Sequence, residues 1–292
     1  MDETRPERDA WTTADLREQL VGDCGVGAGD VLIVHSSMKS LGRVDGGPAA
    51  VVAALQEAVG ERGTLLMPVF TAPQPDGVFH AAEAPSRTGL ITETFRTAPG
   101  AVRSLHPTHS VAAGGARAGE FVEGHERTSG LGVGSPFHKA AEAGADVLMV
   151  GCTLTACSLV HVAEAIVRVP YLGKVFYQGY HRVLTVIAPD GRRIEIPPAD
   201  NPTDSSGFVV VADELDRRGQ LARCRLGSAD CVKFSARACL AVAVGLLRAD
   251  PAALLCDRPT CPVCPEARRV IERERGRPQR DAAEGGEDPL HP

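Results

Sequence analysis

In "CSLVHVAEA", residues 157–165, an imidazole and a carboxylate stand three residues apart as His161 and Glu164. On a helix that spacing puts them on one face. A carboxylate beside an imidazole fixes its tautomer and raises its basicity, which a general base requires. Cys157 lies four residues before His161, so a continuous helix would also set a thiol beside the ring, as in an activated nucleophile. Two chemistries follow. His161 abstracts a proton with Glu164 behind it, or Cys157 carries an acyl group with His161 as its base. A surface His–Glu pair above a small buried cysteine would have the same sequence.

Three further stretches carry reactive side chains. "VLIVHSSMKSLGRVDGG" is an apolar run that breaks into His35-Ser36-Ser37, then Lys39 and glycines, before Pro48 opens a helical pattern. Backbone N–H groups, serine hydroxyls and a lysine near a helix N-terminus make a site for phosphate or pyrophosphate. A serine-rich turn that merely caps the next helix is the plainer reading. Neither a Walker A loop nor GxGxxG after a strand is present. "RSLHPTHS", residues 103–110, gathers two histidines, a serine and a threonine around one proline. Its His-x-x-His spacing suits a metal, but no carboxylate stands nearby at useful spacing, and a hydrogen-bonded turn accounts for it. "CDRPTCPVC" sets Cys256, Cys261 and Cys264 at C-x4-C-x2-C. The Cys-x-x-Cys half has zinc-knuckle spacing, with Cys231 or Cys224 available as a fourth ligand. Buried free thiols are the alternative.

The elements that must position these groups alternate. "DVLIVHSS", "GTLLMPVF" and "GADVLMVGC" read as buried strands, and the chain leaves them at His35-Ser36-Ser37, Phe70-Thr71 and Gly151-Cys152. Helical patterns fall at residues 13–22, 48–59, 89–98 and 157–169, the first capped by Thr12 or Thr13. Residues 71–88 read as a loop. This order predicts an α/β fold with a layered, mostly parallel central sheet flanked by helices. In such sheets ligands gather at the carboxyl ends of the strands. A β-hairpin insertion is expected near residues 175–197, around the "PDGR" turn. Two helices, "GFVVVADELDRRG" and "SARACLAVAVGLLRAD", follow. Residues 1–265 are expected to form a single domain. Residues 266–292 are expected to form a charged tail, frayed or disordered.

Bulk properties narrow the function classes. The chain has 292 residues and a net charge of −6, enough for a substantial core and without the basic footprint of a nucleic-acid binder. No apolar run approaches the ~20 residues of a membrane helix, and "MDETRPERDAW" has no signal-peptide core. A cytoplasmic protein is expected, its nine cysteines thiols or ligands rather than disulfides.

Together, "LIVHSSMKSLGRVDGG", "ALQEAVGERGTLLMPVFT", "TGLITETFRTAPGAVRSLHPTHSVAAGG", "GSPFHKA" and "VLMVGCTLTACSLVHVAEA" occur in the order seen in the aminoglycoside N3-acetyltransferase family. The resemblance spans roughly residues 13–250. It implies an acetyltransferase fold distinct from the Gcn5 type, acetyl-coenzyme A as co-substrate with no catalytic metal, and a small-molecule amine as acceptor, most directly the 3-amino group of a 2-deoxystreptamine aminoglycoside. The protein would be a monomer or homodimer. Carried over by motif, Ser36, Ser37, Lys39, Leu41 and Gly42 would lie along the coenzyme A phosphates and pantetheine. Thr71, His106 and Ser110 would line the acetyl end, where backbone N–H groups or the hydroxyls of Thr71 or Ser110 would receive the oxyanion. Gly134 and Ser135 would help close the site. His161 would be the base with Glu164 beside it. Asp76, Glu83, Glu93 and Asp204 are the carboxylates open to a polycationic acceptor. The chain departs from the family pattern at Thr155, where an aspartate is expected, and at Ser158, where a threonine is. "VPYLGKVFY" replaces the Lys-Arg pair usual after this helix in aminoglycoside-modifying members. Those departures keep a different amine, or a Cys157/His161 acyl-enzyme hydrolase, as alternatives.

Overall fold

The sheet is mixed, with three parallel strands at its centre. A computed structural model describes residues 9–175, 182–197 and 204–276. The central strands are β1 (Val31–Ser36), β2 (Thr64–Pro68) and β6 (Asp146–Val150), with β1 paired in parallel to both others. Outside them every pairing in this sheet is antiparallel. β5 (Val111–Gly115) lies against β2, and β4 (Val102–Arg103) against β5. On the other side β10 (Ala229–Ser235) lies against β6, and β9 (Ala222–Leu226) against β10. The seven-stranded order is β4-β5-β2-β1-β6-β10-β9. The expected mostly parallel sheet is therefore corrected to a mixed one. Helices cover both faces, so even the antiparallel strand β5 is apolar along most of its length. Continuous apolarity reports burial on two sides, and burial does not encode direction.

Alternation along β1 separates the two helical layers. Leu32 and Val34 face a core built with α1 (Thr13–Gly22), α2 (Gly47–Val59) and α3 (Leu90–Arg96). Ile33 faces the other core, built with α4 (Ala118–Val122), α5 (Pro136–Glu142), α6 (Val160–Val167), α7 (Val209–Arg217), α8 (Ala236–Ala249) and α9 (Cys264–Arg275). His35 follows Ile33 by two residues and meets Phe137 of α5, ring centroids 6.0 Å apart. Thr12, one of the two expected caps, closes α1 in a reciprocal box with Asp15.

The hairpin insertion is present but shorter than expected. β7 (Leu184–Ile187) and β8 (Arg193–Ile196) pair antiparallel. β3 (Val78–His80), inside the stretch expected to be a loop, adds to β7 in parallel and makes a second, three-stranded sheet. Residues 176–181 of the expected insertion lie outside the described residues. The boundary at 265 also moves. α9 buries Cys264, Ala267, Val270 and Ile271 against the second core, so the packed chain runs through it. Residues 277–292 of the expected tail lie outside the described residues. Among the described residues no helix is long and apolar enough to cross a membrane.

The cysteines depart from the expectation of free thiols at one place. Cys24, just after α1, is disulfide-bonded to Cys224 on β9, with Cα atoms 5.2 Å apart. This pairing across 200 residues ties the first helix to the edge strand. Seven other cysteines are free.

Candidate active site

The carboxyl ends of the parallel strands open into one cleft of about 340 Å³. β1 contributes His35 and Ser36, β2 leads to Pro68 and Phe70, and β6 leads to Cys152. Thr88 and Thr92 at the start of α3, His109, Leu131 and Ser205 complete the walls with Thr155, Ser158 and His161. A second groove of about 840 Å³ runs from Ser40 and Cys152 toward β9 and β10. Cys152 lines both spaces.

His161 sits one residue into α6, with Glu164 a turn later, as the three-residue spacing requires. Its Nδ1 is 2.7 Å from Glu164 Oε2. Glu164 has no solvent exposure, and its Oε1 accepts the Tyr171 hydroxyl at 2.8 Å. Tyr171 reaches that position because α6 ends at Arg168 in the left-handed region, φ +55°, and the chain folds back with the Val169 N–H on the Glu164 carbonyl. Burial, then the Glu164 charge, push the Tyr171 phenol well above its ordinary range, so it donates throughout. With Nδ1 occupied by the carboxylate, His161 keeps Nε2 for the cleft. Phe208 braces the ring edge-on, centroids 4.5 Å apart.

Cys157 is placed elsewhere. α6 starts at Val160, and Cys157 ends the preceding short turn, so the four-residue helical spacing to His161 is not realised. The Cys157 thiol is fully buried in the second core, where it meets the free thiol of Cys239 on α8, and does not line the cleft. The thiol that does line it, Cys152, is pushed by burial up to about 12 and stays protonated.

The histidine-rich turn forms the floor behind the cleft. His109 faces it and packs edge-on against Phe70 at 4.9 Å. His106 lies behind, its Nδ1 accepting the His109 N–H at 3.0 Å and its ring stacked on His125 at 4.9 Å. His125 Nε2 lies 2.9 Å from the Gly130 carbonyl and must donate to it, so its Nδ1 accepts from Ser104 Oγ at 2.7 Å. Burial holds His35 and His125 down to about 4. Burial, aided by His161 and His125, holds His109 down to about 3. All three rings are neutral near pH 7.

Of the other residues named from sequence, Ser36 lies on the cleft wall, and its Oγ is buried without a partner among the described residues. Ser37 Oγ accepts from Ser40 Oγ at 3.1 Å. Lys39 is exposed on the turn after β1. Leu41 is a core residue of the first layer, and Gly42, φ +76°, packs against Ser228. Thr71 and Ser110 do not have the free hydroxyls assigned to them as oxyanion donors. Thr71 Oγ1 donates to the Pro107 carbonyl at 2.6 Å, and Ser110 Oγ donates to the Val69 carbonyl at 3.0 Å. Those bonds, with Arg103 Nε on Ser110 Oγ at 2.9 Å, shape the histidine turn. Gly134 and Ser135 lead into α5; the Gly134 N–H donates to His138 Nδ1 and Ser135 Oγ is buried.

Three of the four carboxylates considered for the acceptor are engaged elsewhere. Glu93 pairs with Arg96 at 2.6 Å, Asp76 caps the Val78 N–H, Glu83 is exposed, and Asp204 pairs with Arg258 at 2.5 Å. None lines the cleft. Sequence reasoning missed His109, Thr88, Thr92, Ser205, Tyr171 and Phe208. Only His109 carried a signal, the second histidine of "HPTH".

The chain is similar to known proteins in sequence and in fold. A family model described as aminoglycoside 3-N-acetyltransferase matches residues 33–248. The aminoglycoside N(3)-acetyltransferase VII of Streptomyces paromomycinus is 32% identical over 246 residues, 73% of this chain and 83% of that protein. The type VIII enzyme of Streptomyces fradiae is 37% identical over 201 residues, 61% of this chain and 68% of that one. Among solved structures, an aminoglycoside acetyltransferase in complex with gentamicin superposes with a TM-score of 0.79 at 28% identity, covering 91% of this chain and all of that one. Another, a binary complex with coenzyme A, gives 0.67 at 29% identity over 82% of this chain and 96% of that one. The chain belongs to the aminoglycoside 3-N-acetyltransferase family.

Proposed function

We propose that this protein moves an acetyl group from acetyl-coenzyme A to the 3-amino group of a 2-deoxystreptamine aminoglycoside, by direct transfer with His161 as general base. One observation carries the reading of the site. His161 lines the cleft while a buried carboxylate, itself fixed by Tyr171, holds its Nδ1, which leaves Nε2 as the nitrogen for proton transfer. Such an arrangement keeps the basic nitrogen in one tautomer and stabilises the imidazolium that forms.

The acceptor nitrogen attacks the thioester carbonyl carbon, and His161 Nε2 takes the proton that nitrogen loses. An acceptor that arrives as ammonium releases one further proton to solvent. The oxyanion on the former carbonyl finds Ser36 Oγ, a buried hydroxyl on the cleft wall with no partner among the described residues. Collapse expels the coenzyme A sulfur, which receives the proton from His161, and leaves an amide. His35 and His109, both neutral, line the same space without adding positive charge against a cationic acceptor. The groove joined to the cleft at Cys152 suits a donor as long as acetyl-coenzyme A. The solved relative bound to coenzyme A supports the donor, and the relative bound to gentamicin supports the acceptor class.

Incubation with acetyl-coenzyme A and an aminoglycoside, followed by mass spectrometry and NMR of the product, tests the assignment. A single acetyl group on the 3-amino nitrogen is expected. Acetylation of another amine but not of this one would redirect the acceptor assignment, and thiol release without any amine would support hydrolysis instead.

A further inference from the structure

Behind the cleft, a loop between α8 and α9 brings three thiols together. Cys256 and Cys261 are each 6% exposed and Cys264 not at all. Their sulfur atoms all lie within 4.8 Å of one another, the sole such group of three ligating side chains among the described residues. The Cys264 N–H donates to Cys261 Sγ at 3.4 Å, and the Val263 N–H bears on the same sulfur. Amides converging on a Cys-x-x-Cys sulfur stabilise a thiolate, as in a knuckle turn around a metal.

The fourth ligand expected from sequence is not where it was sought. Cys224 is bonded to Cys24, and Cys231 lies in the first core, on the opposite face of the sheet. Asp204 is there instead. Its carboxylate meets the Cys256 thiol, and its backbone N–H bears on Cys264 Sγ.

We propose that Cys256, Cys261, Cys264 and Asp204 form a structural zinc site. Three thiols release three protons to solvent as Zn²⁺ binds three thiolates, and the Asp204 carboxylate, which stands beside Cys256 and outside the three-thiol group, turns in from Ser206 and Arg258 to complete a closed tetrahedron. Thiolates about 2.3 Å from zinc stand about 3.8 Å apart, so the cluster needs only a small contraction. The filled site carries two net negative charges. Arg258, paired with Asp204, and Arg268, on the Leu255 carbonyl and Asp257, stand beside it to offset them.

The site would brace one wall of the cleft. Asp204 heads the short turn Ser205–Phe208, where Ser205 lines the cleft and Phe208 holds the His161 ring. Gly207 packs so tightly on this loop that a Cβ there would fall 2.4 Å from the Leu254 carbonyl.

Metal analysis of the full-length protein, purified without chelator or added metal, should find one zinc per chain. Titration with a mercurial in the presence of a chromogenic chelator should release that zinc as three thiols react. Cobalt(II) in place of zinc should show thiolate-to-metal charge-transfer absorption with tetrahedral d–d bands. Asp204→Asn should weaken zinc binding by about tenfold or more, and Cys261→Ser/Cys264→Ser should abolish it. Should those variants fail to fold, the titration of the unaltered protein decides. Protein from zinc-supplemented medium that carries no zinc and gives no thiolate–cobalt absorption would overturn the proposal. So would a disulfide among the three cysteines, or zinc retained by the double cysteine variant.

Discussion

Glu164→Gln changes one atom type at the most buried point of the site, and its effect can be worked out from the hydrogen bonds. The carboxylate accepts from His161 Nδ1 at 2.7 Å and from Tyr171 at 2.8 Å, with no solvent exposure. A glutamine oxygen still accepts the Nδ1–H, and its NH₂ turns to Tyr171, whose hydroxyl can accept instead. Tautomer and packing survive, and the negative charge is lost. In the transition state His161 becomes a cation. Unit charges about 4 Å apart attract by about 4 kcal/mol at an effective dielectric of 20. A charge-assisted hydrogen bond exceeds a neutral one by about 1 to 1.5 kcal/mol. These bounds put the fall in kcat between about tenfold and about a thousandfold. Thiol release from acetyl-coenzyme A at saturating acceptor measures it, with circular dichroism and urea unfolding to show that the fold is intact. Glu164→Ala, which strands the Tyr171 hydroxyl and leaves a cavity, should lose both rate and stability. A Glu164→Gln variant with unchanged kcat would refute the role given to the carboxylate.

Three other outcomes follow from the same structure. Ser36→Ala removes the unpartnered hydroxyl on the cleft wall and should lower kcat by about 100- to 1,000-fold, with little change in acceptor KM; an unaltered kcat would exclude it as the oxyanion donor. Cys157→Ser should leave kcat within a few-fold and no acetyl-enzyme should be trapped, because the thiol is packed against Cys239 away from the cleft; loss of turnover in a folded variant would restore the acyl-enzyme route. Acid should destabilise the fold well before carboxylates titrate. The unfolded chain protonates its histidines as pH falls through 6.5, whereas folded His35 and His125 resist until about 4 and His109 until about 3. Stability is therefore full above 6.5 and lost below it, by about 2 kcal/mol per histidine at pH 5; a urea midpoint equal at pH 7.5 and 5 would contradict the buried neutral rings.

What the sequence disclosed, and what it did not, divides by distance along the chain. The His161–Glu164 pair was legible because three-residue helical spacing is a local rule, and Ser36 because an apolar strand visibly ends there. Tyr171 was not, since its approach depends on the left-handed turn at Arg168, a conformation that arginine does not advertise. Thr71 and Ser110 were placed at the acetyl end from the family motif, which names residues but not the partners of their hydroxyls. Their hydroxyls are consumed by carbonyls of a turn whose shape no pattern specifies. Strand existence was read from apolar runs, but direction was not, because helices on both faces erase the alternation that marks an antiparallel edge. The β9–β10 hairpin was overlooked despite its two-residue Gly227-Ser228 turn, and the charge of α9 concealed a buried stripe of Ala267, Val270 and Ile271. The bond from Cys24 to Cys224 spans 200 residues and left no local trace.

The role of His161 is tested most directly by its alanine variant. Initial rates of thiol release should be compared for the unaltered protein and folded His161→Ala, with an aminoglycoside that has a free 3-amino group and with one that lacks it. Turnover is expected only with the free amine, with a loss of about 10²- to 10⁴-fold in kcat without the imidazole. Comparable rates from the two proteins would contradict it.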